Sequence, residues 1–427
     1  MPTLSRRAAI ADWFGLNRAT LGVLAVIGCL GLSEEIWSNF LALHLRDQAR
    51  AAGQAAQAVG AAALYIGVIA TLKNVLEGFG YIIGGTLAHR MGPRAALAVS
   101  AAPMAIGFTI MLSSHNPWTI VFASLLMTNW EPLSVPATFD VVGSEVRKER
   151  RTIAFAVQSI QKRVPKILGP AIGGVLIVTA GYWLNLTIAF AFVGLAVILQ
   201  LALTRRMRPK TQPSNLPLRD ILATMPRDLR RLLTAEILIR WGDWFARDFA
   251  VLYVVTMLTA RFGWTDADAT RTAGWLLSIM ATTALATYVP IAKWVDRAPS
   301  PRPFIGVTFL LFALFPICLV LLPKASVALG LPVMAGLVLT FVLNGLRELG
   351  EPARKALIST GFPPEIRARA VGLYWGLRSF AFCPAPLVAA LLWSRIGPEA
   401  TFLVGGSIGL AGTLWYAATA AAPAARD

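Results

Sequence analysis

Apolar residues occur along this chain in twelve long runs, each bounded by charged residues or by Gly and Pro. A helix needs roughly 20 mostly apolar residues to cross the hydrocarbon core of a bilayer, and these runs are close to that length. The pattern therefore predicts twelve transmembrane helices, called spans 1–12 below. The spans are expected at residues 19–45, 58–87, 95–112, 117–140, 152–178, 184–203, 232–258, 272–292, 304–322, 331–358, 370–393 and 400–421.

The composition agrees with this pattern. Of the 427 residues, 56% are hydrophobic and 14% are charged, and the mean hydropathy is +0.63. Soluble domains are about 45–50% apolar and about 25% charged. Twelve spans with short loops occupy the chain and leave no room for a large soluble domain. We therefore expect an all-α integral membrane protein surrounded by a lipid bilayer.

The net charge of +17 lies outside the predicted spans. With both termini in the cytoplasm, the inner loops and tails carry 23 Lys and Arg, and the outer loops carry six. This asymmetry is the one that the positive-inside rule describes, and the opposite orientation would invert it. We expect cytoplasmic termini and a bacterial inner membrane. Because the rule accounts for the basic residues, we expect no nucleic-acid partner.

The chain divides into two similar halves. The longest break, 205–231, contains four prolines and eight Lys and Arg, and we interpret it as a cytoplasmic linker between 1–204 and 232–427. Glu131-Pro132 in span 4 recurs as Glu351-Pro352 in span 10, and the pattern Glu34-x5-Phe40 in span 1 recurs in span 7. The pattern predicts two six-helix bundles related as repeats, an organisation found in secondary transporters.

The loop after span 2 contains the sequence GTLAHRMGPR. It resembles the G-x-L-A-D-R-x-G-R-K signature of the major facilitator superfamily, in which this loop forms charge contacts that hold the outward-open state. The positions that fit are Gly85, Leu87, Ala88, Arg90, Gly92 and Arg94. His89 replaces the aspartate, and the loop after span 8 keeps Asp296 and Arg297. His89 is either a pH-sensitive gate, since an ordinary histidine titrates near pH ~6.5, or part of a drifted surface loop.

Span 5 contains a second family motif. Gly169-Pro-Ala-Ile-Gly-Gly174 resembles the antiporter motif of the superfamily, with Pro165 in place of the first glycine. The resemblance implies a secondary transporter in which residues 1–204 rock against 231–427 to give alternating access. It favours proton antiport, and therefore export.

Charged residues inside the spans are confined to spans 1, 2, 4, 5, 7, 10 and 11. In the family that the chain resembles, helices 3, 6, 9 and 12 are peripheral and the others surround a cavity. A charge at the centre of a bilayer costs about 2.5–3.5 kcal/mol, so these groups must face water or one another. The distribution predicts an aqueous cavity lined by charges.

Two spans carry charges at helical spacing. In span 7, Glu236, Arg240, Asp243 and Arg247 are 4, 3 and 4 residues apart, which places them on one face. Span 10 repeats the pattern at Asn344, Arg347, Glu348, Glu351 and Lys355. Four residues near cytoplasmic span ends, where snorkelling towards the interface or loop contacts are expected, are Glu236, Asp140, Arg354 and Lys355.

The expected proton-carrying groups are Glu34, Glu35, Glu131, Asp243 and Glu351. Glu34 and Glu35 are adjacent near the centre of span 1, and two close acids resist simultaneous ionisation. They serve either proton coupling or helix packing.

Lys162 in span 5 and Arg378 in span 11 occupy matching positions in the two repeats. Two cations facing one cavity need an anion between them, which is either a protein carboxylate or an anionic substrate. The substrate-binding candidates are Lys162, Arg240, Arg347, Glu348, Arg378 and Trp37.

The sequence lacks a G-x-x-x-x-G-K-[ST] nucleotide loop and a metal-binding spacing of its three histidines. We therefore expect no enzyme activity, metal or cofactor. The leading hypothesis is a monomeric proton antiporter exporting a small organic solute. The alternatives are a proton symporter importing a small organic anion and a ligand sensor with a transporter fold.

Overall fold

The computed structural model describes residues 18–53, 57–128, 130–132, 162–203, 217–223, 225–298, 300, 302–360 and 367–420. Within these ranges some side chains are not described, among them those of residues 84–98 and 295–297. The described residues are helical, and they contain no strand. The expected all-α fold is confirmed.

Fifteen α-helices and one 3₁₀ turn, Ser38–Phe40, lie in the described part of the chain. The helices are α1 (Arg18–Trp37), α2 (Leu41–Ala51), α3 (Ala58–Ser113), α4 (Pro117–Thr128), α5 (Arg163–Leu203), α6 (Leu218–Ala223), α7 (Arg227–Trp244), α8 (Ala250–Phe262), α9 (Asp266–Arg297), α10 (Arg302–Ala328), α11 (Val333–Leu346), α12 (Glu351–Thr360), α13 (Arg367–Phe382), α14 (Ala385–Ile396) and α15 (Pro398–Ala420).

Six segments of the described residues are long and apolar enough to cross a membrane, and three shorter helices are also apolar. The six are Leu21–Ala51, Ala58–Tyr81, Arg163–Ala202, Arg302–Ala328, Gly372–Ile396 and Pro398–Thr419. The count of twelve spans stays a prediction. Spans 2 and 3 and the loop expected between them fall in one helical segment, α3. Spans 5 and 6 share α5, which turns at Gly181, where φ is +80° and only glycine is unstrained.

Four predicted spans are each built from two helices that meet in the middle of the span. The pairs are α1 and α2, α7 and α8, α11 and α12, and α13 and α14. At the break in span 7, the amide of Phe245 donates to the carbonyl of Gly242. At the break in span 10, Glu351 donates to Glu348 in the same i to i+3 manner. Such tight turns inside a helix often mark a functional hinge.

Close contacts divide the chain into two units. The first combines residues 1–38 with 79–215, and the second combines 39–78 with 216–427. In the first unit α1 packs along α5. Ser33 Oγ donates to the carbonyl of Ala189 at 2.7 Å, and Asn185 Nδ2 donates to the carbonyl of Ile36 at 3.0 Å. These buried bonds fix the position of α1, which carries Glu34 and Glu35.

In the second unit α7 packs against both α10 and α15. Gly242 lets α7 approach α15 closely, since a Cβ at this position would lie 2.5 Å from the carbonyl oxygen of Gly405. Leu229, Leu232 and Ile239 of α7 join an apolar cluster with α10. Packing on these sides holds the charged stripe of α7 in a fixed place. The division of the chain at 1–204, 205–231 and 232–427 stays a prediction.

Candidate functional site

Seven charged side chains of the second unit form one continuous row of alternating sign. In order they are Arg347, Asp243, Arg240, Glu351, Arg354, Glu236 and Arg378, and we call them the arginine–acid chain. The successive N–O distances along it are 2.6, 3.2, 3.7, 2.7, 2.6 and 3.4 Å. Each acid therefore lies between two guanidinium groups.

Three segments supply these residues. The stripe of α7 provides Glu236, Arg240 and Asp243, as its spacing predicts. Arg247 leaves the stripe because α7 ends at Trp244, and its guanidinium lies 4.9 Å from the ring of that tryptophan. The remaining chain members come from other helices.

The break in span 10 places the next three members. Arg347 follows the end of α11, and Glu351 and Arg354 lie in the first turn of α12. The break is held by α10, because Thr308 Oγ1 accepts the amide of Gly350 at 2.6 Å. Arg354 Nη2 donates hydrogen bonds to both carboxylate oxygens of Glu351, at 2.7 and 2.8 Å.

The arginine–acid chain is buried. The side chains of Glu236 and Asp243 are 0% exposed, and the most exposed member, Arg240, is 15% exposed. Removing one partner of a buried ion pair leaves an uncompensated charge, which costs about 3–5 kcal/mol. The acids therefore hold the arginines in place. Four arginines face three acids, so the row carries one excess positive charge.

Aromatic rings support the arginines. The guanidinium groups of Arg240 and Arg347 both lie 4.5 Å from the centre of the Phe312 ring. Arg378 lies over Trp375 at 5.2 Å and over Phe382 at 5.9 Å. Cation–π contacts of this kind add attraction where water is excluded. Phe312 belongs to α10, which has no charge in its predicted span, so sequence reasoning gave it no role.

The first unit has a smaller polar site. Glu34 Oε2 accepts the indole N–H of Trp130 at 2.9 Å. Lys162 Nζ donates to Glu131 Oε1 at 3.2 Å, and the side chains of these two residues are 27% and 48% exposed. Gly169 lies against Glu35, with no space for a side chain at that position.

Several predicted site residues lie elsewhere or outside the description. Trp37 is fully buried, edge-on to Phe108 at 6.1 Å. Glu348 lies in the turn of span 10, half-buried. The side chains of the predicted gating residues lie outside the described residues; they are Gly85, His89, Arg90, Gly92, Arg94, Asp296 and Arg297.

Two members of the arginine–acid chain were misjudged from sequence. Snorkelling of Glu236 and Arg354 is wrong, since both side chains are buried and bonded to each other at 2.6 Å. The spacing contained the signal: Glu236 is four residues before Arg240, and Arg354 is three residues after Glu351. The distance of Arg354 from the end of its predicted span did not indicate how buried its side chain is, because span 10 breaks at Arg347.

The second unit also has a cluster of ion pairs that joins α2 to the start of α9. Arg46 lies 3.2 Å from Asp266 Oδ1, and Arg50 lies 3.0 Å from Asp266 Oδ2. The Arg46 side chain is only 2% exposed. In the same unit, Gly67 of α3 packs on Ala390 of α14.

Comparisons with known proteins agree with this architecture. The sequence profile of the Major Facilitator Superfamily matches residues 14–265 and 237–427. The multidrug resistance protein MdtH of Cronobacter sakazakii is 25% identical over 365 residues, which are 84% of this chain and 78% of that protein. MdtH of Escherichia coli O9:H4 (strain HS) is 26% identical over 361 residues, with the same shares covered.

Solved structures share the fold. A POT family transporter in complex with a thioalcohol-conjugated peptide superposes with a TM-score of 0.74 at 15% identity, covering 94% of this chain and 96% of that one. The nucleoside transporter NupG superposes with a TM-score of 0.72 at 13% identity, covering 95% and 99%.

Proposed function

The chain belongs to the major facilitator superfamily of membrane transporters, and we propose that it is a proton-coupled antiporter that exports a small organic solute. It works by alternating access in a bacterial inner membrane, as a monomer with both termini in the cytoplasm. The solute, protons and lipid are the partners that this function requires.

The half-exposed Glu131–Lys162 pair carries the proposal. Both residues lie within predicted spans, Glu131 in span 4 and Lys162 in span 5, and the carboxylate side chain is 48% exposed. Exposure of these charges to lipid would be costly, so the open side of the pair faces water. A carboxylate that water reaches, with a lysine ammonium at 3.2 Å, can release and take up a proton while the lysine stays beside it.

We assign the proton to the acids of the first unit: Glu131, Glu34 and Glu35. Asp243 and Glu351 have a different role in this proposal, because each lies between two arginines of the arginine–acid chain. Protonating either one would leave buried guanidinium charge without compensation. They act as counter-ions that hold the substrate-facing arginines.

The direction of transport rests on two observations. Gly169 opens the helix 5 motif that resembles the antiporter pattern, and it gives Glu35 the space to pack against α5. The relatives that match most of the chain are named multidrug resistance proteins. Both favour export over import.

Import of an organic anion by proton symport is the second candidate, and the excess positive charge of the arginine–acid chain favours it. The direction in which the solute moves distinguishes symport from antiport. An antiporter moves solute towards the acidic side of the membrane, whereas a symporter moves solute away from it.

The test uses purified protein reconstituted in liposomes that enclose a pH-sensitive dye. A panel of organic anions, zwitterions and lipophilic cations is added outside, and the internal pH is recorded. Antiport predicts proton release from the lumen as solute enters. Proton uptake with the solute would favour symport. Solute binding without any proton or solute flux would contradict both and indicate a sensor.

A further inference from the structure

We propose that Arg378 binds the anionic group of an aromatic carboxylate or sulfonate, which makes aromatic acids the substrate class. This inference deepens the proposed function and rests on it. It concerns the Arg378 end of the arginine–acid chain, where a buried guanidinium lacks a full set of hydrogen-bond acceptors among the described residues.

The first support is the charge of the row. Four arginines and three acids leave one positive charge in excess, in a region where every member is at most 15% exposed. An uncompensated charge at this depth is unfavourable. One monovalent anion would balance the row.

The second support locates the excess at Arg378. The other terminal arginine, Arg347, has a carboxylate oxygen of Asp243 at 2.6 Å. Among the described residues, the acid paired with Arg378 is Glu236, at 3.4 Å, and the second oxygen of Glu236 is held by Arg354 at 2.6 Å. Among the described residues, Arg378 Nε is buried without a hydrogen-bond acceptor.

A neighbouring donor is also unused. Ser379 Oγ is fully buried and has no hydrogen-bond partner among the described residues. A buried polar group without a partner costs about 1–3 kcal/mol. A ligand with two or three acceptor oxygens would satisfy Arg378 Nε, and Ser379 Oγ, on the next residue of α13, is a second buried donor without an acceptor among the described residues. Planar bidentate recognition of a carboxylate is the task for which a guanidinium is best suited.

The third support concerns the rest of the ligand. Trp375 and Phe382 both lie against the guanidinium of Arg378, and Phe382 stacks on Trp244 with 5.9 Å between ring centres. Aromatic surroundings accept a planar apolar body through offset stacking and edge contacts. An aromatic ring that carries an anionic group directly fits both the guanidinium and the aromatic rings beside it.

The test measures equilibrium binding to the full-length purified protein in detergent, without a gradient. Benzoate, benzenesulfonate and naphthoate are the anionic probes, benzylammonium and tetraphenylphosphonium are the cationic probes, and chloride is the inorganic control. The readouts are calorimetry and thermal stabilisation. We expect the aromatic acids to bind, and Arg378→Gln to weaken them by about 10- to 100-fold, the effect of one charge-assisted hydrogen bond.

Three variants make the result specific. Arg378→Lys keeps the positive charge but loses the planar guanidinium that can donate two parallel hydrogen bonds. We expect it to weaken the binding of the aromatic acids by at least several-fold. Ser379→Ala should have a smaller effect in the same direction. Arg395→Gln is the matched control, because it removes an exposed cation from the next helix, α14, and should leave affinity unchanged. Thermal unfolding of each variant shows whether it is folded.

The outcomes separate this inference from the proposed function. Preference for the cationic probes, binding of chloride alone, or parent-level affinity for the aromatic acids in folded Arg378→Gln and Arg378→Lys would overturn the inference and leave proton antiport standing. Aromatic acids that bind through Arg378 but move no protons in liposomes would uphold the inference and overturn antiport.

Discussion

Arg354 and Glu236 are 118 positions apart in the sequence, yet their side chains form an ion pair of 2.6 Å with exposures of 4% and 0%. This pair joins the start of α12 to the middle of α7. It lies inside a row in which both residues have a second partner, Glu351 for the arginine and Arg378 for the glutamate.

Breaking this pair should destabilise the protein strongly. We expect Arg354→Gln to lower the free energy of unfolding by about 3–5 kcal/mol, because Glu236 and Glu351 each lose a buried cation. Thermal unfolding in detergent measures the change. Asp228→Asn is the control, since Asp228 pairs with Arg302 at the surface and exposed pairs contribute at most about 1 kcal/mol. Equal effects of the two substitutions would show that the arginine–acid chain does not stabilise the fold.

Phe312 should position two arginines through its ring. We expect Phe312→Leu to reduce substrate affinity several-fold, because Arg240 and Arg347 lose a shared cation–π contact worth about 0.5–2 kcal/mol to each. Phe312→Tyr keeps the ring and should behave like the parent protein. Phe309→Leu, in the same helix, removes the ring that packs on Tyr416 and should leave substrate affinity unchanged. If Phe312→Leu and Phe309→Leu have the same affinity, the positioning role is wrong.

The ion pairs of Asp266 should restrain α2 and α3 against the second half of the chain. Asp266→Asn removes the acid that both Arg46 and Arg50 contact. We expect a cysteine introduced by Ala390→Cys, at the contact with Gly67, to react several-fold faster with an impermeant thiol reagent in this background. The native cysteines are replaced by serine throughout.

The control for that experiment is Asp268→Asn. Asp268 is exposed, and its recorded contacts are the local ones with Thr265 and Arg271. It should leave the labelling rate at the parent value. Identical rates in the Asp266 and Asp268 variants would contradict a restraining role for Asp266.

Gly169 should be intolerant of any side chain. A methyl group there would overlap with Glu35, so Gly169→Ala should cost about 1–3 kcal/mol of stability through overpacking and should lower transport. Gly194→Ala in the same helix meets open space and should be neutral or slightly stabilising. Expression, thermal unfolding and transport rate are compared for both. Normal stability and transport in Gly169→Ala would show that Glu35 can move aside without loss.

The apolar pattern was sufficient to predict helices, because a helix is the usual way for a single segment to satisfy its backbone inside lipid. The family was recognised from the motifs after span 2 and in span 5. Charge spacing predicted that Glu236, Arg240 and Asp243 share a face of α7, and their ion pairs confirm it. The same spacing included Arg247, which lies beyond the end of α7 at Trp244 and does not join the arginine–acid chain.

Partners from other helices could not be predicted in this way. Phe312 lies in a uniformly apolar stretch, where one phenylalanine looks like the others until the arginines of α7 and span 10 are placed around it. The order of the arginine–acid chain depends on the break at Arg347. Tertiary packing sets that geometry, and local periodicity does not encode it.

The central claim is that acids of the first unit carry the proton while those of the second unit hold arginines. The most direct test compares gradient-driven flux with solute exchange at zero gradient, in liposomes that contain Glu34→Gln, Glu35→Gln, Glu131→Gln or Asp243→Asn. If the first-unit acids carry the proton, at least one first-unit variant loses gradient-driven flux and keeps exchange, whereas Asp243→Asn loses both together. Gradient-driven flux that survives in all three glutamate variants, with selective uncoupling by Asp243→Asn, would show that the proton is carried by Asp243 instead.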